Sequence, residues 1–244
     1  MRAVWATFLR ELRAYFVSPL AYVVLFVFLI VNGWVFCYIV SALNNPAAVA
    51  ARPLDFFFGG ILWPILLILA PVLTMRLLSE ERRSGSIEIL MTAPVSETQV
   101  VAGKYLAALV FYLALWVPTV VYGLLLAHYS SLDWGPVAGG YLGTFAIGAL
   151  FIAVGMFASA MTKSQLVAAI VTFAGTFLLA MLGLLENLFN GDLAHQTFGY
   201  VSLFNHMDEF AKGIVDSRHL VYYLSGIVLF LFLTSRALAE RKWR

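Results

Sequence analysis

Residues 20–40 read LAYVVLFVFLIVNGWVFCYIV, a stretch without a single Asp, Glu, Lys or Arg. An α-helix needs about 20 predominantly apolar residues to cross the hydrocarbon core of a bilayer. This stretch is therefore predicted to be a transmembrane helix. It contains Cys37, the single cysteine of the chain, so no internal disulfide is expected.

Five further stretches have the same apolar character. They comprise residues 56–75, 105–127, 136–161, 166–185 and 220–238. The composition agrees, because 62% of the 244 residues are hydrophobic and 11% are charged, whereas soluble domains are about 45–50% apolar and about 25% charged. We therefore expect an all-α integral membrane protein with six transmembrane helices, forming one transmembrane domain over residues 1–244.

Lys and Arg are unequally distributed between the loops of this six-span arrangement. With the N-terminus inside, twelve of the fifteen basic residues lie in inner segments and three in outer ones. Because cytoplasmic loops carry an excess of Lys and Arg, both termini are predicted to be cytoplasmic, in the cell (inner or plasma) membrane. The net charge of +2 gives no strong basic field, so nucleic acid is not an expected partner. Membrane lipid is an expected partner, because it must cover the apolar surface of the spans.

The N-terminal residues 1–18 are predicted to form an amphipathic helix lying in the membrane interface. Their apolar side chains repeat at helical spacing. The apolar face comprises Trp5, Phe8, Leu9, Leu12, Tyr15 and Phe16. The arginines of this segment lie mainly off that face, as is typical of interfacial helices. The alternative is a simple positive flank that sets orientation, and the two interpretations are compatible.

The loop between the second and third spans, residues 79–98, combines charges of both signs with an apolar face. Ser86 is suited to cap a short helix with Glu88 in its first turn, and Pro94 ends it. The apolar face comprises Ile87, Leu90 and Met91. An exposed apolar face rimmed by charges is typical of a partner-binding surface. The alternative is a solvated loop with an interfacial helix.

This loop resembles the inner-loop signature of ABC-2 type transporter permeases. The matching residues are Glu81, Arg82, Gly85, Ser86, Glu88, Leu90, Thr92, Pro94, Val95 and Ser96, followed by Gly103 and Lys104. The amphipathic N-terminal helix, six spans and long final outer loop are also similar to that family. Residues 18–22 (SPLAY) and 212–216 (KGIVD) look most like the branch of the gliding-motility and nitrous-oxide-reductase-maturation permeases.

The resemblance implies that the loop is a coupling helix docking on a cytoplasmic ABC ATPase subunit, present in two copies. It also implies two permease subunits per transporter, the same or related chains, and export. The residues that it places at the ATPase contact are Glu80, Glu81, Arg82, Arg83, Gly85, Ile87, Glu88, Leu90, Met91, Thr92 and Pro94. The chain contains no G-x-x-x-x-G-K-[ST] motif, so ATP and Mg²⁺ are expected in the partner ATPase and no cofactor in this chain.

Three smaller patterns indicate how the helices begin, bend and pack. Ser96 and Gln99 match a capping box at the start of the helix leading into the third span. Pro118 is expected to interrupt that span. Small residues repeat every four positions, at Gly139 and Gly143 and again at Ala168, Thr172, Thr176 and Ala180. Such faces let helices approach closely, and packing within the subunit is favoured over a subunit interface.

The outer segment, residues 187–219, is predicted to contain a second amphipathic helix. Its apolar face comprises Leu203, Phe204, Met207, Phe210, Ala211, Ile214 and Val215. The family resemblance implies that this segment caps the pathway, with Phe204, Met207, Phe210 and Ile214 in the outer gate, and the alternative is an interfacial helix without a gating role. His195, His206 and His219 do not have a known ligand spacing, so no metal site is expected.

The sequence therefore predicts a permease subunit that couples ATP hydrolysis by a separate ATPase to substrate movement. The alternative function is a non-transporting membrane subunit that relays ATP-driven conformational change to an outer partner. An intramembrane enzyme is a third functional class, but no H-E-x-x-H or G-x-S-x-G motif occurs, so no catalytic residues are predicted. The identity of the substrate does not follow from the sequence.

Overall fold

In the computed structural model, the described residues are 2–43, 57–58, 62–85, 96–129, 133–183 and 199–239. Within these ranges the chain is helical and contains no β-strand. Six helices are long and apolar enough to cross a membrane: Pro19–Ser41, Leu62–Ser84, Glu97–His128, Trp134–Met161, Gln165–Leu182 and Ser217–Ala239. The predicted all-α fold class with six spans is confirmed.

Ten α-helices and one 3-10 turn account for most of the described residues. In chain order they are α1 (Arg2–Val17), α2 (Pro19–Leu43), α3 (Leu62–Thr74), α4 (Ser79–Ser84), α5 (Glu97–Trp116), the 3-10 turn (Val117–Thr119), α6 (Val120–Tyr129), α7 (Trp134–Met161), α8 (Gln165–Leu182), α9 (Leu203–Ala211) and α10 (Ser217–Ala239). Pro118 lies in the 3-10 turn. Proline cannot donate to the helical ladder, so the predicted interruption of the third span is confirmed.

Helix α7 is the centre of the structure. In its most apolar part 78% of the residues are buried, against 17% in α10, and α7 packs against α3, α5, α8, α9 and α10. Its glycines lie at these contacts. A Cβ atom on Gly148 would lie 2.3 Å from Tyr112, and one on Gly155 would lie 2.1 Å from Thr74. On α8, the predicted face of Ala168, Thr172, Thr176 and Ala180 is buried, which confirms packing within the subunit.

The end of the second span differs from that predicted, whereas the start of the next helix is as predicted. Residues 80–84, predicted as loop, instead form most of α4, because Glu80 and Glu81 in its first turn and Arg82 and Arg83 in its last turn suit the helix dipole. The helix that leads into the third span begins at Glu97, directly after the predicted cap residue Ser96. Its start is the predicted capping box, which is confirmed by two reciprocal hydrogen bonds between Ser96 and Gln99.

Candidate functional site

Helix α4 is fixed to the end of α7 by polar contacts. The Ser159 hydroxyl oxygen accepts hydrogen bonds from the backbone N–H groups of Leu78 and Ser79, each at 3.1 Å. The guanidinium of Arg82, which is buried, donates to the carbonyl oxygen of Ala160. These contacts satisfy N–H groups at the start of α4 that have no partner within the helix. Helix α4 is therefore held to the central helix at both of its ends.

A buried lysine connects α4 to two other helices. Lys104 of α5 has a side chain that is 2% exposed, and its Nζ lies 3.0 Å from Glu11 Oε1 and 2.9 Å from Glu81 Oε1. Arg10 contacts the same two oxygens, at 2.7 Å from Glu11 and 3.3 Å from Glu81. We call these four residues the Lys104 cluster. Its two cations and two carboxylates join α1, α4 and α5.

The backbone geometry around Lys104 explains how the cluster assembles. A Cβ atom on Gly103 would lie 2.8 Å from the Thr7 side chain and 3.0 Å from the Val4 carbonyl oxygen. Only glycine therefore permits this close approach of α1 to α5, which brings Glu11 to Lys104. Farther along α1, the Tyr15 hydroxyl donates to the Leu73 carbonyl oxygen at 2.8 Å, and burial raises the pKa of Tyr15 well above its usual value.

The residues predicted to contact the ATPase fall into three groups. Glu81 and Arg82 are engaged within the chain, while Glu80 and Arg83 are exposed. Gly85 follows α4 with φ of 73°, a left-handed conformation that glycine adopts without strain. The remaining predicted residues lie outside the described residues: Ile87, Glu88, Leu90, Met91, Thr92 and Pro94. Their contact with an ATPase stays a prediction.

The sequence interpretation missed the pairing of Glu11 with Lys104. Two signals were available. Lys104 follows Gly103 directly at the start of an apolar run, and a lysine that becomes buried there requires an opposite charge. Glu11 is the only acidic residue before Asp55, so it was a plausible counter-ion from the N-terminal segment.

At the opposite end of α7, helix α9 packs directly onto the small-residue face. A Cβ atom on Gly139 would lie 2.2 Å from the Phe210 carbonyl oxygen, and one on Gly143 would lie 2.8 Å from the Phe210 ring and 2.9 Å from Met207 Sδ. Met207 and Phe210 are fully buried. Phe204 packs on Trp63 with ring centroids 4.3 Å apart. Three of the four predicted gate residues therefore contact the helices beneath them.

The fourth predicted gate residue, Ile214, is placed differently. The apolar helical face was predicted to extend through Val215, but α9 ends at Ala211. Gly213 then adopts φ of 80° and turns the chain. Ile214 and Val215 are consequently 54% and 49% exposed. The prediction of one continuous helical face through Val215 is wrong, because this glycine turn breaks the helix before it.

Two of the three histidines considered as metal ligands meet between α9 and α10. The rings of His206 and His219 lie 3.9 Å apart. His219 Nε2 lies 2.7 Å from Glu209 Oε2, and His206 Nδ1 lies 3.3 Å from the Tyr223 hydroxyl. Burial, followed by the charge of His219, lowers the pKa of His206 to about 4, so its ring is neutral at neutral pH. His195 lies outside the described residues. Within the described ranges no three His, Cys, Asp or Glu side chains are arranged so that they could hold a metal ion.

Six spanning helices, one of which is the buried central helix α7, define a multi-pass membrane protein. Residues 28–207 match the family described as ABC-2 family transporter protein. The chain therefore belongs to the ABC-2 transporter family, the non-catalytic transmembrane component of ABC transporters. Proteins of this family generally work with a cytoplasmic ATPase and often dimerise. A comparison with curated proteins found no match. The gliding-motility and nitrous-oxide-reductase-maturation branch stays a prediction.

Proposed function

We propose that this chain is the permease subunit of an ABC exporter, in which a separate cytoplasmic ATPase drives the movement of substrate across the cell membrane. Two ATPase subunits bind ATP and Mg²⁺ and contact residues 79–98 of two permease chains, identical or related. The α4 end of the molecule and both termini face the cytoplasm, and α9 faces the outer side. This chain itself carries out no hydrolysis.

The Lys104 cluster is the observation that carries the proposal. Glu81 lies just before the predicted coupling helix and Lys104 just after it, and their side chains meet at 2.9 Å. The same lysine binds Glu11 of α1 at 3.0 Å. A force applied to residues 86–95 would therefore act on α1, α4 and α5 together, and through Ser159 on α7. Such a linked base is what a coupling segment needs to transmit motion to the spans.

The surface beside the predicted coupling helix also suits a charged protein partner. Glu80 and Arg83 of α4 are exposed, whereas their neighbours Glu81 and Arg82 are used within the chain. Arg83 and Lys163 line one open cavity of about 640 Å³. Charged rims of this kind set the register and association rate of an interface. Arg83 and Lys163 are therefore available to orient the ATPase around the apolar face of Ile87, Leu90 and Met91.

At the α9 end, we assign a capping role to the outer segment. Helix α9 covers one end of the central helix through Met207 and Phe210. Exposed Ile214 extends the apolar surface beside it. Because α9 contacts α7 directly, movement of α7 would displace this cap and open or close the outer end of the pathway.

The test of the coupling assignment is co-purification of the ATPase with Leu90→Asp. Burying a leucine at an interface contributes about 1.5–3 kcal/mol, and a carboxylate adds a desolvation cost. The variant should therefore weaken the complex at least about tenfold, since about 1.4 kcal/mol corresponds to a factor of ten. The measurement compares the amount of the candidate ATPase recovered with wild-type and variant permease in detergent.

Val215→Asp is the control, because it also replaces an apolar residue by aspartate, but at an exposed position at the α9 end. It should retain the ATPase. Equal recovery with Leu90→Asp and Val215→Asp would show that residues 86–95 are not the ATPase contact. Reconstitution in liposomes separates the two functions, since ATP hydrolysis without substrate movement would favour a subunit that relays motion to an outer partner.

A further inference from the structure

A groove runs between α2 and α3 and ends against α1. One part of it is a cavity of about 330 Å³ with an almost entirely apolar lining. A second cavity, of about 170 Å³, continues it toward α1 and is lined by Glu11, Arg76 and Glu80 as well as by apolar side chains. Val24 and Val72 line both cavities. The two cavities therefore form one groove with an apolar length and a charged end.

The dimensions of the groove match one hydrocarbon chain. Its lining on α2 extends over residues 20–31, which at 1.5 Å per residue corresponds to about 17 Å. Half the hydrocarbon core of a bilayer is about 15 Å thick. Val27 and Ile68, on opposite walls, are 53% and 61% exposed. The groove is therefore open along its side, as entry of an acyl chain from the surrounding bilayer requires.

The charged end offers one cation and one anion that form no salt bridge with each other or with another described residue. Arg76 donates to the Gln165 side chain at 3.4 Å, and neither Arg76 nor Glu80 forms a salt bridge with another described residue. They lie four residues apart, which is about one helical turn. Glu11 is different, because Lys104 and Arg10 already neutralise it. The free charges therefore fit a ligand that carries a phosphate and an ammonium close together.

We propose that this groove binds one phospholipid with a primary-ammonium zwitterionic headgroup, of the phosphatidylethanolamine class. Its acyl chain lies between α2 and α3, its phosphate contacts Arg76 and its ammonium group contacts Glu80. An anionic lipid would pair its phosphate with Arg76 but leave Glu80 without a counter-cation, and a quaternary ammonium cannot donate hydrogen bonds to that carboxylate. The lipid would lie in the inner leaflet, a placement that rests on the orientation in the proposed function, whereas the groove and its charges do not depend on that orientation.

The site would connect the bilayer to the Lys104 cluster. Glu11 lines the charged end of the groove and also binds Lys104, and Tyr15 and Leu73 contribute to the same wall. A headgroup at Arg76 and Glu80 would therefore lie directly beside the contact of α1 with α3. Occupancy of the groove would restrain α1 relative to α3.

Native mass spectrometry of the purified full-length protein tests the proposal by lipid titration. The protein is stripped of lipid in detergent and titrated with phosphatidylethanolamine, phosphatidylcholine or phosphatidylglycerol. We expect the first phosphatidylethanolamine to bind at least tenfold more tightly than either other lipid. Glu80→Gln should abolish this preference, whereas Asp208→Asn, an exposed carboxylate at the α9 end, should preserve it.

Filling the apolar part of the groove tests where the acyl chain lies. Ile68→Trp and Val27→Trp place an indole in the groove from opposite walls, and both residues are exposed, so folding should survive. Each should weaken binding of the first phosphatidylethanolamine at least tenfold, while Val228→Trp, at a 65% exposed position on α10, should not.

Equal binding of the three lipids, or undiminished binding in both filled variants, would overturn the proposal. If the filled variants instead shift the measured mass from dimer to monomer without affecting lipid, the groove is a subunit interface. These readouts need no ATPase, so a failed coupling test leaves them valid.

Discussion

Lys104 is the residue on which the linkage at the α4 end depends. An ammonium group with 2% side-chain exposure is costly to desolvate, and only paired carboxylates offset that cost. Glu11 and Glu81 supply them from different helices. Without the lysine, Arg10, which is 53% exposed, would be the remaining cation of the cluster beside two carboxylates.

We expect Lys104→Met to destabilise the protein by about 3–5 kcal/mol, the usual cost of removing one partner from a buried ionic group. Methionine fills a similar volume, so the loss is attributable to charge rather than to a cavity. The measurement is thermal unfolding of the purified protein in detergent. Because the two carboxylates cause the loss, Lys104→Met combined with Glu11→Gln and Glu81→Gln should recover most of the stability.

Lys163→Met provides the comparison for that experiment, because Lys163 is exposed and surface charges contribute little to stability. It should unfold at the wild-type temperature. A Lys104→Met protein as stable as Lys163→Met would mean that the Lys104 cluster does not hold the three helices together.

At the scale of helices, the packing of α9 on α7 depends on the absence of side chains on α7. The Phe210 carbonyl oxygen occupies the position that a Cβ atom of Gly139 would need, at 2.2 Å. Backbone atoms cannot rotate away as a flexible side chain can. Any residue larger than glycine at position 139 must therefore displace α9 as a whole.

Gly139→Ala should therefore destabilise the protein by about 1–3 kcal/mol, the usual cost of overpacking a close contact. The matched variant is Gly123→Ala in α6, where an added Cβ would meet nothing closer than 3.9 Å. That variant should be neutral or slightly stabilising, because alanine favours a helix over glycine. Thermal unfolding of the two proteins side by side decides, and similar melting temperatures would place α9 elsewhere than on Gly139.

The helices themselves could be predicted because each depends on a property local to the sequence. An uncharged apolar run such as residues 20–40 is sufficient for a span, and Ser96 with Gln99 is sufficient for a helix start. The end of α9 was predicted wrongly because apolar spacing continues through Ile214 and Val215. The turn at Gly213 outweighs that spacing, and its effect depends on the nearby backbone of α7, where a Cβ on Gly213 would lie 3.0 Å from Gly135.

The candidate site was less predictable, because its contacts join distant parts of the chain. The sequence showed that Glu80–Arg83 is a dense charge cluster, but not that its two middle members face the protein while the outer two are exposed. Glu81 binds Lys104 of α5 and Arg82 binds Ala160 of α7, and the position of α4 beside these two helices determines this. Likewise, nothing local to Glu11 specifies that it meets Lys104. Pairing between helices follows from their three-dimensional arrangement, which periodicity does not supply.

The whole molecule has two chemically different ends. At one end lie the Lys104 cluster and, beside α4, Arg76, Arg83 and Lys163. At the other end, α9 packs on the beginning of α7, and the His206–His219 pair joins it to α10. Several basic residues from different segments, each predicted to lie on the inner side, are thus found at the same end of the structure. This convergence favours the orientation in which the α4 end is cytoplasmic.

We therefore predict that Arg218 is outside and Lys163 inside. Each is an exposed cation, so Arg218→Cys and Lys163→Cys are closely matched substitutions. They would be introduced singly into a Cys37→Ser background, because Cys37 is the only native cysteine and is exposed. A membrane-impermeant maleimide applied to intact spheroplasts should label Arg218→Cys and spare Lys163→Cys. After permeabilisation both should react, which shows that the spared thiol is accessible from the cytoplasm rather than buried.

The reverse pattern of labelling would mean that the orientation is inverted and that the Lys104 cluster lies where no cytoplasmic ATPase could reach it. Labelling of both variants in intact spheroplasts would contradict the odd number of spans between the two positions, since α8 is the only candidate span among the described residues between Lys163 and Arg218.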